Sequence, residues 1–146
     1  GNLVLELQQS PTEPFTVSQW GNGAAAPSAE ETDRVLDMIR FEDRQVGRIS
    51  RETGQRRTRK IPLVHHCPDF IVDEIRLEDH LFDRTSPNSF HLLAMVRGTA
   101  SVEAGSGRET FQSGQTCLLP AAIGDYWLHA EGDGVELLRI TLKEKV

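Results

Sequence analysis

The sequence predicts a mainly β protein, a double-sheet jelly roll with one amphipathic helix and a basic connector packed against it. Three observations predict this. From Ile61 onward, short alternating runs are separated by turn residues at regular spacing, which favours a sandwich or barrel over a parallel sheet. One stretch, residues 28–41, switches to helical period. Between the two lies a run rich in Arg and poor in apolar residues.

The elements follow in order. Leu3, Leu5 and Leu7 alternate with Val4, Glu6 and Gln8, the period-two pattern of a strand. Pro11 and Pro14 interrupt it, and Phe15 to Trp20 resumes an extended pattern before the flexible link "GNGAAAP". In "SAEETDRVLDMIRF", Ser28 and Glu31 have capping-box spacing, early acids suit the helix N-terminus, and Val35, Met38 and Ile39 form the apolar stripe. This helix is expected to end near Phe41.

"EDRQVGRISRETGQRRTRK" is read as a solvated surface connector. It lacks interleaved aromatics for base stacking and any Gly-rich phosphate cradle. "DFIVDEIRLED" and "SFHLLAMVRG" are then strands, and "TASVEA" and "RETFQ" flank the hairpin turn "GSG". "TCLLP", "DYWLHA" and "VELLRITL" complete the set, each entered through a Gly-bearing turn.

Composition bounds the function. A chain of 146 residues is long enough for one well-buried domain. A net charge of -6 argues against a general nucleic-acid binder, whose affinity rests on phosphate neutralisation. No apolar run approaches a bilayer span and no secretory leader pattern is present, so a cytoplasmic protein without a membrane partner is expected. Cys67 and Cys117 have no second Cys close by and are read as reduced core residues.

Candidate chemistry is sparse. "LVHHCPDF" offers His65, His66 and Cys67 as metal ligands. Adjacent residues on an extended chain face opposite ways, so His65 and His66 do not easily share an ion. His65 with Cys67 supplies two donors, whereas a catalytic zinc needs about three plus an open position. The preferred reading puts Cys67 in the core and Pro68 at the start of the next strand. Asp73 and Glu74 are expected to face solvent, and His91 and His129 to be hydrogen-bonded structural residues.

"GQTCLLPAAIGDYWLH" is similar to the second half of the cupin metal motif, with Gly114, Pro120 and Gly124 in its rhythm. The first half is missing, since no H-x-H followed by Glu occurs. The expectation is a metal-free cupin whose interior is filled by Phe90, Leu92, Leu118 and Leu138.

The opening stretch "NLVLELQQSPTEPFTVSQWGN" resembles the "LVEIQQNSDTTYRVYDWGR" segment of bacterial class I phosphomannose isomerases. Leu3–Val4, Glu6 and Gln8–Gln9 carry the match, and Phe15, Val17, Trp20 and Gly21 continue it. The helix and "LVHHCPDFIVDEIRLED" are similar to the segments that follow in that family, and residues 89–128 resemble its C-terminal cupin.

The resemblance implies interconversion of mannose 6-phosphate and fructose 6-phosphate at a zinc site. It also implies that the zinc ligands lie upstream of the segment matching residue 1, so no cofactor is expected on this chain. The family's catalytic arginine falls on Thr16, its second arginine on Asn22, and its Ser-Asp pair on Pro11–Thr12. A cationic donor aimed at developing negative charge is worth about 2.7–4 kcal/mol, which Thr16 cannot supply. Arg44 or Arg48 is the conceivable substitute.

The chain is therefore expected to be the C-terminal part of such a protein. Residues 1–22 would end a first cupin, 23–60 would link, and 61–146 would form a second, metal-free cupin. As an isolated chain it is expected to be inactive. The alternative is a free-standing module that binds a sugar or sugar phosphate, with Glu6, Gln8, His91, His129 and Arg139 facing the ligand. A third reading is a metal enzyme built on His65, His66 and Cys67. An unpaired edge at Asn2 to Gln9 leads to an expected homodimer through that edge or the second barrel.

Overall fold

Alternation between Arg59 and Leu142 becomes nine antiparallel strands in the computed structural model, which describes residues 4–8, 27–39, 41 and 58–143. They are β1 Arg59–Val64, β2 Phe70–Leu77, β3 His80–Arg84, β4 His91–Arg97, β5 Thr99–Ala104, β6 Gly107–Gln112, β7 Thr116–Leu119, β8 Asp125–Ala130 and β9 Val135–Leu142. Two sheets result, which we call A (β1-β2-β9-β4-β7) and B (β3-β8-β5-β6). This is the expected jelly roll. The helix and the strands belong to two separate compact units.

The helix α1, Ala29–Met38, starts as the sequence predicts. The Ser28 hydroxyl accepts from the Glu31 N–H at 3.2 Å, and a Glu31 carboxylate oxygen accepts from the Ser28 N–H at 2.8 Å. It stops before Phe41 because Ile39 turns extended. Val35 is its buried residue, while Met38 and Ile39 of the expected stripe are exposed.

Residues 4–8 are described but form no strand, contrary to the alternation. Alternation makes a strand only where a neighbour takes up the backbone N–H and C=O groups. Val4 is 80% exposed. Thr16, Asn22, Arg44 and Arg48, and most of the predicted 1–22 segment, lie outside the described residues.

The core lies between the sheets. Ile75, Leu77, Leu93, Met95 and Leu137 of sheet A meet Val102, Phe111, Tyr126 and Leu128 of sheet B. Burying each such side chain contributes about 1.5–3 kcal/mol. Leu92, Leu118 and Leu138, expected inside, are one residue out of phase. Register places Leu93 beside Arg139 and Met95 beside Leu137, so the neighbouring leucines turn to the other face. Leu118 is 58% exposed, and Phe90 is half-buried ahead of β4.

Sheet A also buries Val72, Ala94 and Ile140 on its opposite face, so its strands read apolar at both parities. The β4–β5 joint needs glycine. Gly98 has φ +91°, and a Cβ there would sit 2.8 Å from the Gly134 carbonyl oxygen.

Candidate functional site

The inward parity of sheet A changes character along the barrel. On β9 it runs Val135, Leu137, Arg139, Thr141, and on β2 it runs Leu77, Ile75, Asp73, Ile71, with Asp73 directly opposite Arg139. On β4 the same face carries His91, whose cross-strand partner is Thr141. Sheet B contributes Asp83 on β3, opposite Tyr126 on β8. One end of the barrel interior is therefore hydrocarbon and the other is charged.

The charged end is organised around Arg139. Its Nη2 donates to Asp73 Oδ2 at 2.5 Å and its Nη1 to Asp83 Oδ2 at 2.5 Å. The other Asp73 oxygen lies 2.8 Å from His65 Nε2. Lys60 Nζ stands 3.7 Å from Asp83 Oδ2, and Asp83 Oδ1 accepts the Arg84 N–H at 2.9 Å. His91 Nδ1 and the Tyr126 hydroxyl are 2.7 Å apart. The Arg139 Nε–H is buried without a hydrogen-bond partner.

Electrostatics follow from this packing. Burial alone would raise the Asp73 carboxyl, but hydrogen bonds from His65 and Arg139, with the charges of Arg139 and Lys60, hold it below the usual range. Asp83 is likewise lowered against its burial, chiefly by the Arg139 charge. Burial, and then Arg139, push His91 down, so its imidazole is neutral at pH 7. Burial, then Asp83, push the Tyr126 phenol well up. The cluster thus holds two carboxylates ionised and two neutral partners beside them, with a guanidinium between the acids.

Of the residues singled out in the sequence, His65, Asp73, His91 and Arg139 come together here. His129 does not. It lies on the outer face of sheet B beside Trp127 and His80, with Nε2 3.4 Å from Glu103 Oε2. Glu6 and Gln8 are exposed on the segment 4–8, which belongs to the other compact unit.

His65 serves Asp73. Cys67 is half-buried outside the core cluster, its carbonyl accepting from Lys143 Nζ at 3.3 Å. Both cysteines are free, and β2 starts at Phe70 rather than at Pro68. Among the described residues, no three His, Cys, Asp or Glu side chains are grouped to hold a metal.

Asp73 corrects the expectation that it and Glu74 face solvent. They are 3% and 6% exposed. The signal was present in part. Asp73 shares parity with Ile71 and Ile75, and Arg139 shares it with Leu137, so each strand carries a charge at a core position. Lys60, Asp83 and Tyr126 were missed, because nothing local marks them.

A family model described as "Mannose-6-phosphate isomerase, cupin domain" matches residues 60–138, more than half of the chain. The chain belongs to that family. Within it, the match starts in β1 and ends in β9, so it covers both sheets of the barrel.

Solved structures agree on the fold. TT1209 from Thermus thermophilus is similar with TM-score 0.52 and 18% identity, over 60% of this chain and 85% of that one. The Cnp3 cupin domain of Schizosaccharomyces pombe is similar with TM-score 0.52 and 12% identity, over 62% and 67%. A Cupin 2 conserved barrel domain protein from Salinispora arenicola gives TM-score 0.50 and 12% identity, over 59% and 76%. No curated protein matches the sequence. Among the described residues, no helix is long and apolar enough to cross a membrane.

Proposed function

We propose that this chain is the C-terminal part of a mannose-6-phosphate isomerase-like protein, and that its barrel is a supporting cupin rather than a catalytic one. The isolated chain then does not interconvert mannose 6-phosphate and fructose 6-phosphate. The observation that carries this reading is the position of Arg139. It lies between Asp73 and Asp83, the carboxylates that converge inside the barrel.

A guanidinium there supplies the positive charge that a divalent cation would otherwise supply. Lys60 adds more, and the imidazoles of His65 and His91 both meet the same cluster. The zinc that the family reaction needs does not fit this donor set, whose two acids are already bound to a cation and whose two imidazoles are engaged, His65 on Asp73 and His91 on Tyr126. Asp73, His91 and Tyr126 are all buried, so a substrate reaches them only if the network opens. In this reading the zinc ligands come from upstream residues, and the chain works as a cytoplasmic homodimer.

Assay of the purified 146-residue chain with zinc and mannose 6-phosphate tests the proposal. No turnover above an enzyme-free blank is expected, and sustained turnover overturns it. A saturable thermal shift with mannose 6-phosphate, lost in Arg139→Met, would instead establish the barrel as a binding module.

A further inference from the structure

A second site lies outside the barrel, where β3 and β8 end. Arg84 and Asp125 stand opposite each other on the outer face of sheet B. Arg84 Nε donates to Asp125 Oδ1, and its Nη2 donates to Oδ2 at 3.0 Å. Hydrogen bonding within the pair raises Arg84 and lowers Asp125, so both stay ionised. A guanidinium has five N–H donors and a carboxylate about four acceptor sites. The pair uses two of each, so donors and acceptors remain free side by side on groups that are 69% and 52% exposed.

The pair lines one side of an open, shallow depression of about 680 Å³. Pro87, Ala121 and Ala122 give it an apolar wall, and Thr85 and Gly124 complete it. It is preformed. Thr85 Oγ1 donates to the Ala121 carbonyl at 2.9 Å and accepts from the Gly124 N–H at 2.9 Å, tying the two loops together. Gly124 has φ +70°, and a Cβ there would meet nothing within 4 Å, so the space beside it is open.

Two residues along each strand, on the same outer face, Phe82 and Trp127 lie opposite each other with ring centroids 5.2 Å apart. They are 48% and 41% exposed. The His80 ring extends the row, 5.3 Å from Trp127.

We propose that this surface binds the ring of an uncharged sugar, with Arg84 and Asp125 holding neighbouring hydroxyls and Trp127 receiving the apolar C–H face. A sugar hydroxyl both donates and accepts, which matches a site offering both functions at one place. An aromatic face matches the apolar side of the same ring. The pair carries no net charge, and the Asp125 carboxylate beside the guanidinium repels a phosphate group, which favours an uncharged sugar over its phosphate. The site meets the barrel cluster only through the Arg84 backbone N–H, which its side-chain substitutions leave in place, so its test and the turnover assay fail independently.

Titration of the full chain, followed by tryptophan fluorescence, tests the proposal. Trp20→Phe leaves Trp127 as the reporter. Mannose, glucose and a mannose disaccharide should each give a saturable change, mannose 6-phosphate a weaker one, and glycerol none. Asp125→Asn and Arg84→Met should each weaken binding about tenfold or more at unchanged melting temperature. Trp127→Ala, followed by NMR shifts of the sheet B amides, should do the same.

The proposal is overturned by no saturable response up to on the order of 100 mM sugar, by a response indifferent to Asp125→Asn, or by tighter binding of the phosphate. Dimers in light scattering that bury Trp127 without sugar overturn it as well, because a second copy then covers the face.

Discussion

Arg139 on sheet A donates to Asp83 on sheet B at 2.5 Å, fastening the two sheets across the interior of the barrel. The His91–Tyr126 contact at 2.7 Å is a second polar tie between the same sheets. These ties stand where the hydrocarbon core ends, so polar pairing holds the charged end of the barrel together.

Removing the guanidinium alone takes the shared cation from the buried Asp73 and the half-buried Asp83. Arg139→Met is expected to cost about 3–5 kcal/mol in urea unfolding, the usual effect of breaking a buried ion pair from one side. Replacing all three members, with Asp73→Val and Asp83→Val added, should recover most of that loss. A triple variant no more stable than Arg139→Met would show that the carboxylates are not the cause.

Acid should weaken the fold in two steps. His91 is depressed in the folded chain by burial and by Arg139, with Lys60 adding to this and Asp83 and Asp73 opposing it. The folded state therefore refuses a proton that the unfolded state accepts. Its contribution is complete above the unfolded value of about 6.5 and falls away as pH drops from there towards the folded value. Asp73 and Asp83 are also depressed, so their contribution is complete above about pH 4 and is lost as pH falls through their folded values. Urea midpoints measured from pH 7 to pH 3 should show both slopes, and His91→Gln should remove only the first.

Face parity can be checked by deleting leucines that sit at different positions in the barrel. Leu93→Ala empties a fully buried site and should cost about 2–5 kcal/mol, whereas Leu118→Ala on the exposed face should change stability by less than about 0.5 kcal/mol. Comparable losses at the two positions would mean that the register of β4 and β7 is wrong.

Gly98→Ala should destabilise by about 1–3 kcal/mol, because its positive φ and the Gly134 carbonyl both oppose a Cβ. Gly105→Ala, strained in φ but with open space around it, should cost less in the same thermal melts.

The fold class was legible in the sequence because turn residues punctuate nearly every strand from β2 to β9, and because Ser28 and Glu31 mark the helix start without tertiary help. Face parity was harder to read. Sheet A buries side chains on both faces, so the pairs Leu92–Leu93 and Leu137–Leu138 carry no alternation, and only cross-strand register selects the inner member. The site was half legible. His91 and Arg139 could be named, but Arg139 lies 56 residues from Asp83 and 66 from Asp73. No local pattern joins charges that distant in the chain. A strand with an acid at core parity asks for a partner without saying where it is.

The most direct measurement of the central claim, that the barrel interior is closed by its own ion network, is arginine side-chain NMR on the full chain. The buried Arg139 Nε–H should exchange with solvent far more slowly than that of exposed Arg84, and should not move when zinc and mannose 6-phosphate are added. An Arg139 signal that exchanges as fast as Arg84, or that shifts saturably with the sugar phosphate, would contradict the account.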